Sequence, residues 1–228
     1  MKKVIYTAIF GNYDNLHEPE VIPPGFDFIC FTDCDFEKED TVWDIRKVTP
    51  IYQDSTRNAR KYKILAHRYL SEYDFSLWID GNKIIVGDAN NYINMLGDLS
   101  FATFDHMKCF DKRNCVYKEA QAIFDLGSND SNNWKDSPPV IVKQMEKYQR
   151  EDYPGNNGLV FTSNLVRMHN DEKCINAMEE WWTELKYGSK RDQLSFNYVA
   201  WKNNFKFNYL PGDGRDDGYV KQVIGHKK

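Results

Sequence analysis

The polar residues with the clearest chemistry are Asp80 and Asn82, which flank Gly81 directly after an apolar run over residues 75–79. The run predicts a buried strand, and a carboxylate at its tip costs free energy to bury unless it is paired, hydrogen-bonded or bound to a metal. Mg²⁺ and Mn²⁺ prefer oxygen ligands, often one or two carboxylates with substrate phosphates completing the shell. A polar turn between two strands explains the same residues equally well. At this point both interpretations stay open.

A possible phosphate-binding face precedes that motif. Arg57, Arg60 and Lys63 are spaced i, i+3 and i+6, so a helix would place them on one side. Arginine binds phosphate oxygens through two parallel hydrogen bonds, and lysine acts as a point charge. The spacing therefore suggests a diphosphate between this face and Asp80, with Arg60 as the first choice of ligand. A solvated helix face is the alternative.

The elements that must position these residues alternate between strand and helix. The first half predicts strands over 4–10, 26–32 and 43–48, a helix over 55–70 capped by Ser55, and a strand over 75–79. This order favours an α/β fold with a mostly parallel sheet, in which ligands bind at the carboxyl ends of the strands. The polar residues of 7–14, 32–33 and 80–82 would then meet at one edge and form one site.

The second half is less regular. It predicts a strand over 100–104 and helices over 116–124, 139–150, 171–186 and 194–201. Asp192 and Gln193 open the last helix, where Asp192 is either an N-cap or, with Gln193, a pair facing a sugar. Tyr13 could stack on a nucleobase, and the Thr32-Asp33 pair could hydrogen-bond a base edge or form a turn.

Composition narrows the class of protein. The chain has 228 residues, 41% of them hydrophobic, which fits a single α/β domain. A net charge of −4 gives no electrostatic footprint for nucleic acid. No apolar stretch reaches membrane-spanning length, and the N-terminus lacks a signal-peptide cleavage site, so we expect a cytoplasmic chain. The five cysteines match no zinc pattern and predict reduced thiols, with a Cys109–Cys115 disulfide left open. Neither a dinucleotide fingerprint nor a phosphate loop is present.

Five short motifs occur in an order that resembles a glycosyltransferase-like family once catalogued as domain of unknown function 616. They are YTAIFGNYD at 6–14, FTD at 31–33, RNARKYK at 57–63, LWIDGN at 77–82 and RDQLSF at 191–196. That family includes plant Golgi proteins linked to cell-wall and mucilage polysaccharides. The chain also resembles the glycosyltransferase domains of chlorella viruses, which would place a viral chain in the host cytoplasm. The resemblance spans roughly residues 4 to 202.

More distantly, the layout is similar to retaining GT-A glycosyltransferases. This resemblance implies Asp80, Asn82 and His226 as metal ligands, Asn156 in a donor-side turn, and Asp192 with Gln193 beside the transferred sugar. Asn82 stands where such enzymes carry a second acid, and the tail around His226 lacks their downstream pattern.

Together these expectations describe a single GT-A domain over 1–228, with a nucleotide-binding half over about 1–90 and an acceptor-side half over about 91–228. It would use Mn²⁺ or Mg²⁺ to move a sugar from a UDP-sugar to an oligosaccharide or glycoprotein glycan. The residues expected around uridine are Thr7, Ala8, Phe10, Tyr13 and Asp33. Those expected at the diphosphate are Arg60 and Lys63. Those expected on the acceptor side are Asp105, His106 and Glu119. The alternatives are a nucleotide-sugar hydrolase and a non-catalytic glycan- or nucleotide-binding module. Oligomeric state is unknown.

Overall fold

The computed structural model describes residues 1–36, 40–130 and 134–223. The strands are β1 (Lys3–Ile9), β2 (Phe26–Thr32), β3 (Trp43–Lys47), β4 (Phe75–Ile79), β5 (Lys83–Ile85), β6 (Phe101–Asp105), β7 (Val160–Arg167), β8 (Asn208–Leu210) and β9 (Val220–Gln222). The helices are α1 (Ser55–Ile64), α2 (Ala66–Tyr69), α3 (Asn91–Leu96), α4 (Val116–Asn129), α5 (Pro138–Arg150), α6 (Glu172–Tyr187) and α7 (Phe196–Lys202). Single 3₁₀ turns cover His106–Lys108 and Asp192–Leu194.

Seven strands form the central sheet in the order β3-β2-β1-β4-β7-β6-β8. Only β7 runs antiparallel to its neighbours; the other adjacent pairs in this sheet are parallel. Strands β5 and β9 make a separate antiparallel pair. The predicted fold class, an α/β fold with a mostly parallel central sheet flanked by helices, is confirmed.

The sheet is covered on both faces, which is why its central strands read as continuous apolar runs. Alternate residues of β1 point to opposite sides. Val4 and Tyr6 join the larger core with residues of α1 and α4 to α7, whereas Ile5 and Ile9 join the second core with α3, β5 and β9. Every residue of β4 is buried.

The topology brings three polar strand ends together. From β1 the chain moves outward to β2 and β3, then returns to place β4 on the other side of β1. This reversal creates the crevice in which open α/β sheets bind ligands. Parallel pairing puts the residues after β1, β2 and β4 at the same edge, as the sequence predicted.

Two local predictions are wrong. The helix expected over 55–70 breaks at Leu65 (φ −93°, ψ 43°), which separates α1 from α2. The N-cap of α1 is Asp54 rather than Ser55, because the Asp54 carboxylate accepts the Arg57 backbone N–H at 2.9 Å. All five cysteines are free thiols, so the Cys109–Cys115 disulfide does not form. Across the described ranges, none of the helices has the length and apolar character needed to cross a bilayer.

Candidate functional site

A cleft of about 520 Å³ opens at the carboxyl ends of β1 and β4. Its walls combine the end of β1 and the turn after it, the first turns of α1, the turn after β4, the start of β7 and the 3₁₀ turn before α7. Among the residues that line it are Ala8, Phe10, Tyr13, Asp14, Ser55, Arg60, Asp80, Asn82, Lys83, Trp134, Lys135, Ser163, Lys190, Arg191, Asp192, Gln193 and Gln222.

Two cations and two carboxylates form a charged quartet at this cleft. The Lys63 ammonium lies 2.6 Å from Asp192 Oδ2 and 3.0 Å from Asp80 Oδ1. Arg60 pairs with the same two acids, through Nε to Asp192 at 3.1 Å and through Nη1 to Asp80 at 3.3 Å. The quartet has no formal net charge, and the attraction between its members offsets the desolvation cost of burying the four charges.

The sequence places the quartet by simple rules. Arg60 and Lys63 are three positions apart on α1, so both face the sheet. Asp80 follows the last residue of β4, and Asp192 is the first residue of the 3₁₀ turn before α7. Helix, strand and turn therefore each contribute charges to one point.

The quartet also fixes protonation. Burial alone would raise the pKa of the Asp192 carboxyl, but Arg60 and Lys63 outweigh it and hold that pKa well below its usual range. The pKa of Asp80 is lowered by the same two cations against the same burial. Burial and the nearby Arg60 lower the pKa of Lys63. Both carboxylates are consequently ionised at neutral pH.

The turn after β4 is tightly held. Trp78 Nε1–H donates to Asp80 Oδ1 at 2.8 Å, and the Asp80 backbone N–H donates to the Ser163 carbonyl at 3.0 Å. A Cβ on Gly81 would lie 3.0 Å from Asp14 Oδ2 and 3.1 Å from Ile9 Cγ1, so a side chain there would crowd the β1 end. Glycine lets the two strand ends approach each other.

The side chains of the turn after β4 offer oxygen donors for a divalent cation. Asp80 and Asn82 both line the cleft, and Asp80 Oδ1 already accepts from Trp78, Arg60 and Lys63. Over residues 1–36, 40–130 and 134–223, His, Cys, Asp and Glu form no group of three that could hold a metal. This donor set fits an ion that shares its shell with substrate phosphates, not one held by protein ligands alone. His226 lies outside the described residues.

The residues predicted around the nucleoside are only partly gathered. Ala8, Phe10 and Tyr13 line the cleft. Thr7 is buried within β1, and Asp33 accepts the Gly11 backbone N–H at 2.8 Å, tying the ends of β1 and β2 together. Neither side chain is among those that line the cleft. Asn156 is exposed in the turn before β7, with a φ of 56°, and does not line it either. Their roles remain predictions.

The residues predicted on the acceptor side lie in a second charged cluster. Glu119 is buried and pairs with Arg113 at 2.6 Å, and the His106 ring lies 4.0 Å from the same carboxylate. Asp105 caps the 3₁₀ turn by accepting the Met107 backbone N–H. Arg191 connects this cluster to the cleft, since it lines the cleft and lies 4.0 Å from Glu119.

Two interpretations of single residues are corrected. Asp192 is not the N-cap of the last helix: the N-cap of α7 is Ser195, and the Asp192 carboxylate pairs with Arg60 and Lys63. Arg57 does not share a basic face with them, because its guanidinium donates to backbone carbonyls at the end of α6, including Gly188 at 2.8 Å. Gln193 donates to the Val160 carbonyl at 3.2 Å.

Sequence reasoning missed four cations and an aromatic residue of the cleft: Lys83, Lys135, Lys190, Arg191 and Trp134. Lys83 is almost fully buried, donates to the Gly214 carbonyl and has its pKa lowered by burial to about 8. Three of them could have been found from their sequence neighbours, because Lys83 directly follows Asn82 and the Lys190-Arg191 pair directly precedes Asp192. Trp134 offered no signal beyond being a lone aromatic residue after a run of polar residues.

Comparison with known proteins agrees with the motifs. The family model described as TOD1/MUCI70, glycosyltransferase-like domain, matches residues 1–212. The probable hexosyltransferase MUCI70 of Arabidopsis thaliana is 26% identical over 240 residues, which cover 90% of this chain and 38% of the plant protein. The chain thus spans well under half the length of that relative.

Two solved structures are also similar. The glycosyltransferase GlyE of Streptococcus pneumoniae TIGR4 has a TM-score of 0.48 and 11% identity, covering 92% of this chain and 45% of GlyE. A glycosyltransferase involved in glycosylation of the major capsid of PBCV-1 has a TM-score of 0.46 and 8% identity. The match covers 99% of this chain and 94% of the PBCV-1 glycosyltransferase. On the match of the family model to nearly its whole length, the chain belongs to the TOD1/MUCI70 glycosyltransferase-like domain family.

Proposed function

We propose that this domain transfers a hexosyl group from a nucleoside-diphosphate sugar, with UDP as the nucleotide, to a hydroxyl of a glycan. The observation that carries the proposal is the charge of the cleft. Among the described residues that line it, five are Lys or Arg and three are Asp, in a chain whose net charge is −4. A cationic cleft in an acidic protein favours an anionic ligand, and membership of a glycosyltransferase-like family makes a sugar nucleotide the natural choice.

Arg60 is the residue best placed to meet the diphosphate. Its Nε and Nη1 face Asp192 and Asp80, and a guanidinium carries five N–H donors, so it has donors beyond these two pairs. Negative charge grows on the leaving diphosphate during transfer, and a preorganised cation stabilises that charge without reorganisation. Lys63 has a different part, because it is fully buried and does not line the cleft. It positions Asp80 and Asp192.

A Mn²⁺ or Mg²⁺ ion is part of the proposal, with Asp80 and Asn82 as its protein ligands. Such an ion would supply Lewis-acid stabilisation of phosphate oxygens. Support comes from the position of both residues in the turn after β4, where they line the cleft.

Asp192 and Gln193 are proposed beside the transferred sugar. The ion pairs of Asp192 keep it ionised, as a carboxylate must be to stabilise positive charge at the sugar carbon. Retention of configuration is carried over from the motif resemblance. Tyr13, which lines the cleft and is 41% exposed, supplies aromatic surface for the base, whereas Phe10 is 2% exposed and stacks on Tyr62.

The test is an incubation of the protein with UDP-sugars and GDP-sugars, with oligosaccharide acceptors, in the presence and absence of Mn²⁺. We expect nucleotide release that depends on an acceptor and a new glycosidic product. Release that is independent of acceptor would replace the proposal with a hydrolase. Donor binding without turnover on any acceptor would replace it with a binding module. Full turnover in the presence of a chelator would overturn the part assigned to the ion.

A further inference from the structure

Trp134 presents an aromatic surface to the cleft. It lies in the connection between α4 and α5, lines the cleft and is 37% exposed. Exposed aromatic side chains are ordinary when they stand alone. Trp134 differs because the chain holds its indole in place from two directions.

The first support is a glycine in the last turn of α4. A Cβ on Gly127 would lie 2.2 Å from Trp134 Cδ2 and 2.3 Å from Cε3, so the indole occupies the space of the missing side chain. Gly127 has no positive φ that would call for glycine, and glycine weakens a helix relative to alanine. Glycine at position 127 therefore leaves open the space that the indole fills. Phe124, one turn earlier, packs edge-on against the same indole at 6.4 Å.

The second support ties this segment to the cleft wall that carries Asp192. Asp136, two residues after Trp134, accepts the Ser189 hydroxyl and the Lys190 backbone N–H, both at 2.7 Å. Ser189 is fully buried. The indole is consequently held in a fixed relation to the chain that runs into Asp192.

We propose that the Trp134 indole is a stacking platform for a pyranose ring of the acceptor glycan. One face of a pyranose presents C–H groups, and the electron-rich face of an indole attracts such partial positive charge while burying apolar area. Lys135 and Arg191 line the same cleft and offer hydrogen bonds to hydroxyl groups. The nucleobase is proposed to stack on a different aromatic residue, Tyr13, which is 41% exposed. The assignment of this pyranose to the acceptor rests on the proposed function. The binding of a pyranose at Trp134 does not.

The experiment uses the full chain with its six tryptophans ¹⁵N-labelled at the indole nitrogen. The Trp134 resonance is assigned from Trp134→Phe, and the protein is titrated with the methyl pyranosides of galactose, glucose, mannose and xylose. We expect a saturable shift of the Trp134 resonance. Trp201 is the internal control, because it is 39% exposed on α7 but does not line the cleft.

Three variants complete the design. Trp134→Ala is expected to weaken pyranoside binding about tenfold, and Trp134→Phe less, because phenylalanine keeps a smaller ring face. Gly127→Ala leaves the tryptophan but fills the space of its indole, so it is expected to weaken pyranoside binding as Trp134→Ala does. UDP affinity should stay within about twofold of the wild type in all three, which also shows that the variants fold.

Two results would overturn the inference. One is the lack of a saturable Trp134 shift with every pyranoside at its highest soluble concentration. The other is a loss of UDP affinity that parallels the loss of pyranoside affinity, which would assign the indole to the donor. If the pyranoside shift is present but no sugar nucleotide is turned over, the proposed function fails while the pyranose site stands.

Discussion

Lys63 is a fully buried cation that contacts two carboxylates, so its removal should unbalance the whole quartet. In Lys63→Met, Asp80 and Asp192 would share Arg60 as the cation of the quartet. Breaking a buried pair by removing one partner costs about 3–5 kcal/mol. We expect a loss of that size in the free energy of unfolding measured by urea titration.

The matched control is Lys61→Met on the same helix. The Lys61 ammonium lies over the rings of Tyr62 and Tyr69, and it makes no ion pair with a carboxylate of the described residues. We expect this variant to lose no more than about 1 kcal/mol. Equal losses for the two variants would mean that the helix, not the quartet, is sensitive to substitution.

Lys83 gives a dependence on pH. Burial lowers its pKa in the folded chain to about 8, against 10.5 when unfolded. Between these values the unfolded chain holds a proton that the folded chain has released, so stability rises with pH. Relative to Lys83→Met, the wild type should gain roughly 2–3 kcal/mol in free energy of unfolding between pH 8 and 10.

Lys221→Met makes the same chemical change at an exposed position on β9, the strand paired with β5. The same measurement on this variant is the reference for replacing a lysine outside the buried site. A difference between wild type and Lys83→Met that is flat from pH 8 to 10 would contradict the account of Lys83.

At the scale of elements, the β5–β9 pair shapes the rim of the cleft. Gly87, just after β5, has no room for a side chain, since a Cβ would lie 2.6 Å from the Gly218 carbonyl oxygen and 3.2 Å from Tyr219 Cα. Gly87→Ala must push β9 away from β5, and with it Gln222 at the cleft.

We expect Gly87→Ala to lose about 1–3 kcal/mol of stability and to bind UDP more weakly, both measurable by denaturant titration and calorimetry. Gly155→Ala is the control, because no atom lies within 4 Å of a Cβ there. It should stay within about 0.5 kcal/mol of the wild type. Unchanged UDP binding in a destabilised Gly87→Ala would separate the β5–β9 pair from the site.

The elements also show what sequence can predict. Strands β2 and β4 were predicted at their observed bounds because each is a mostly apolar run bounded by glycine or aspartate. Strands β8 and β9 were missed because three residues carry too little local pattern, and their pairing comes from distant partners. The same difference applies to the site residues. Asp80 and Arg60 lie in local motifs and could be predicted from them. Trp134 could not, because its position depends on Gly127 and on a loop some 50 residues away.

At the scale of the whole molecule, the two halves of the chain share one sheet. Strand β7 from the second half pairs with β4 from the first. Its Arg167 is fully buried, donates to the Ile64 carbonyl at 3.2 Å and also donates to the Tyr6 hydroxyl. Neither half alone can cover the edges at which β4 and β7 pair. Without the first half, the buried Arg167 would also lose both of these hydrogen-bond partners.

The predicted single domain therefore has a thermodynamic test. Scanning calorimetry should give one unfolding transition, with a van't Hoff enthalpy equal to the calorimetric enthalpy. Near-UV and far-UV circular dichroism should give the same midpoint. Two resolved transitions would contradict the single-domain prediction and divide the chain near the boundary between its halves.

The charged quartet is proposed to serve a nucleoside diphosphate, and a comparison of UDP with uridine tests this role. Isothermal titration of wild type, Arg60→Gln and the control Lys61→Gln, with Mn²⁺ present, isolates the contribution of the diphosphate. Arg60→Gln should weaken UDP binding by about tenfold or more while uridine affinity stays unchanged, and Lys61→Gln should alter neither. UDP that binds the wild type no more tightly than uridine, or that binds Arg60→Gln as tightly as the wild type, would contradict the account.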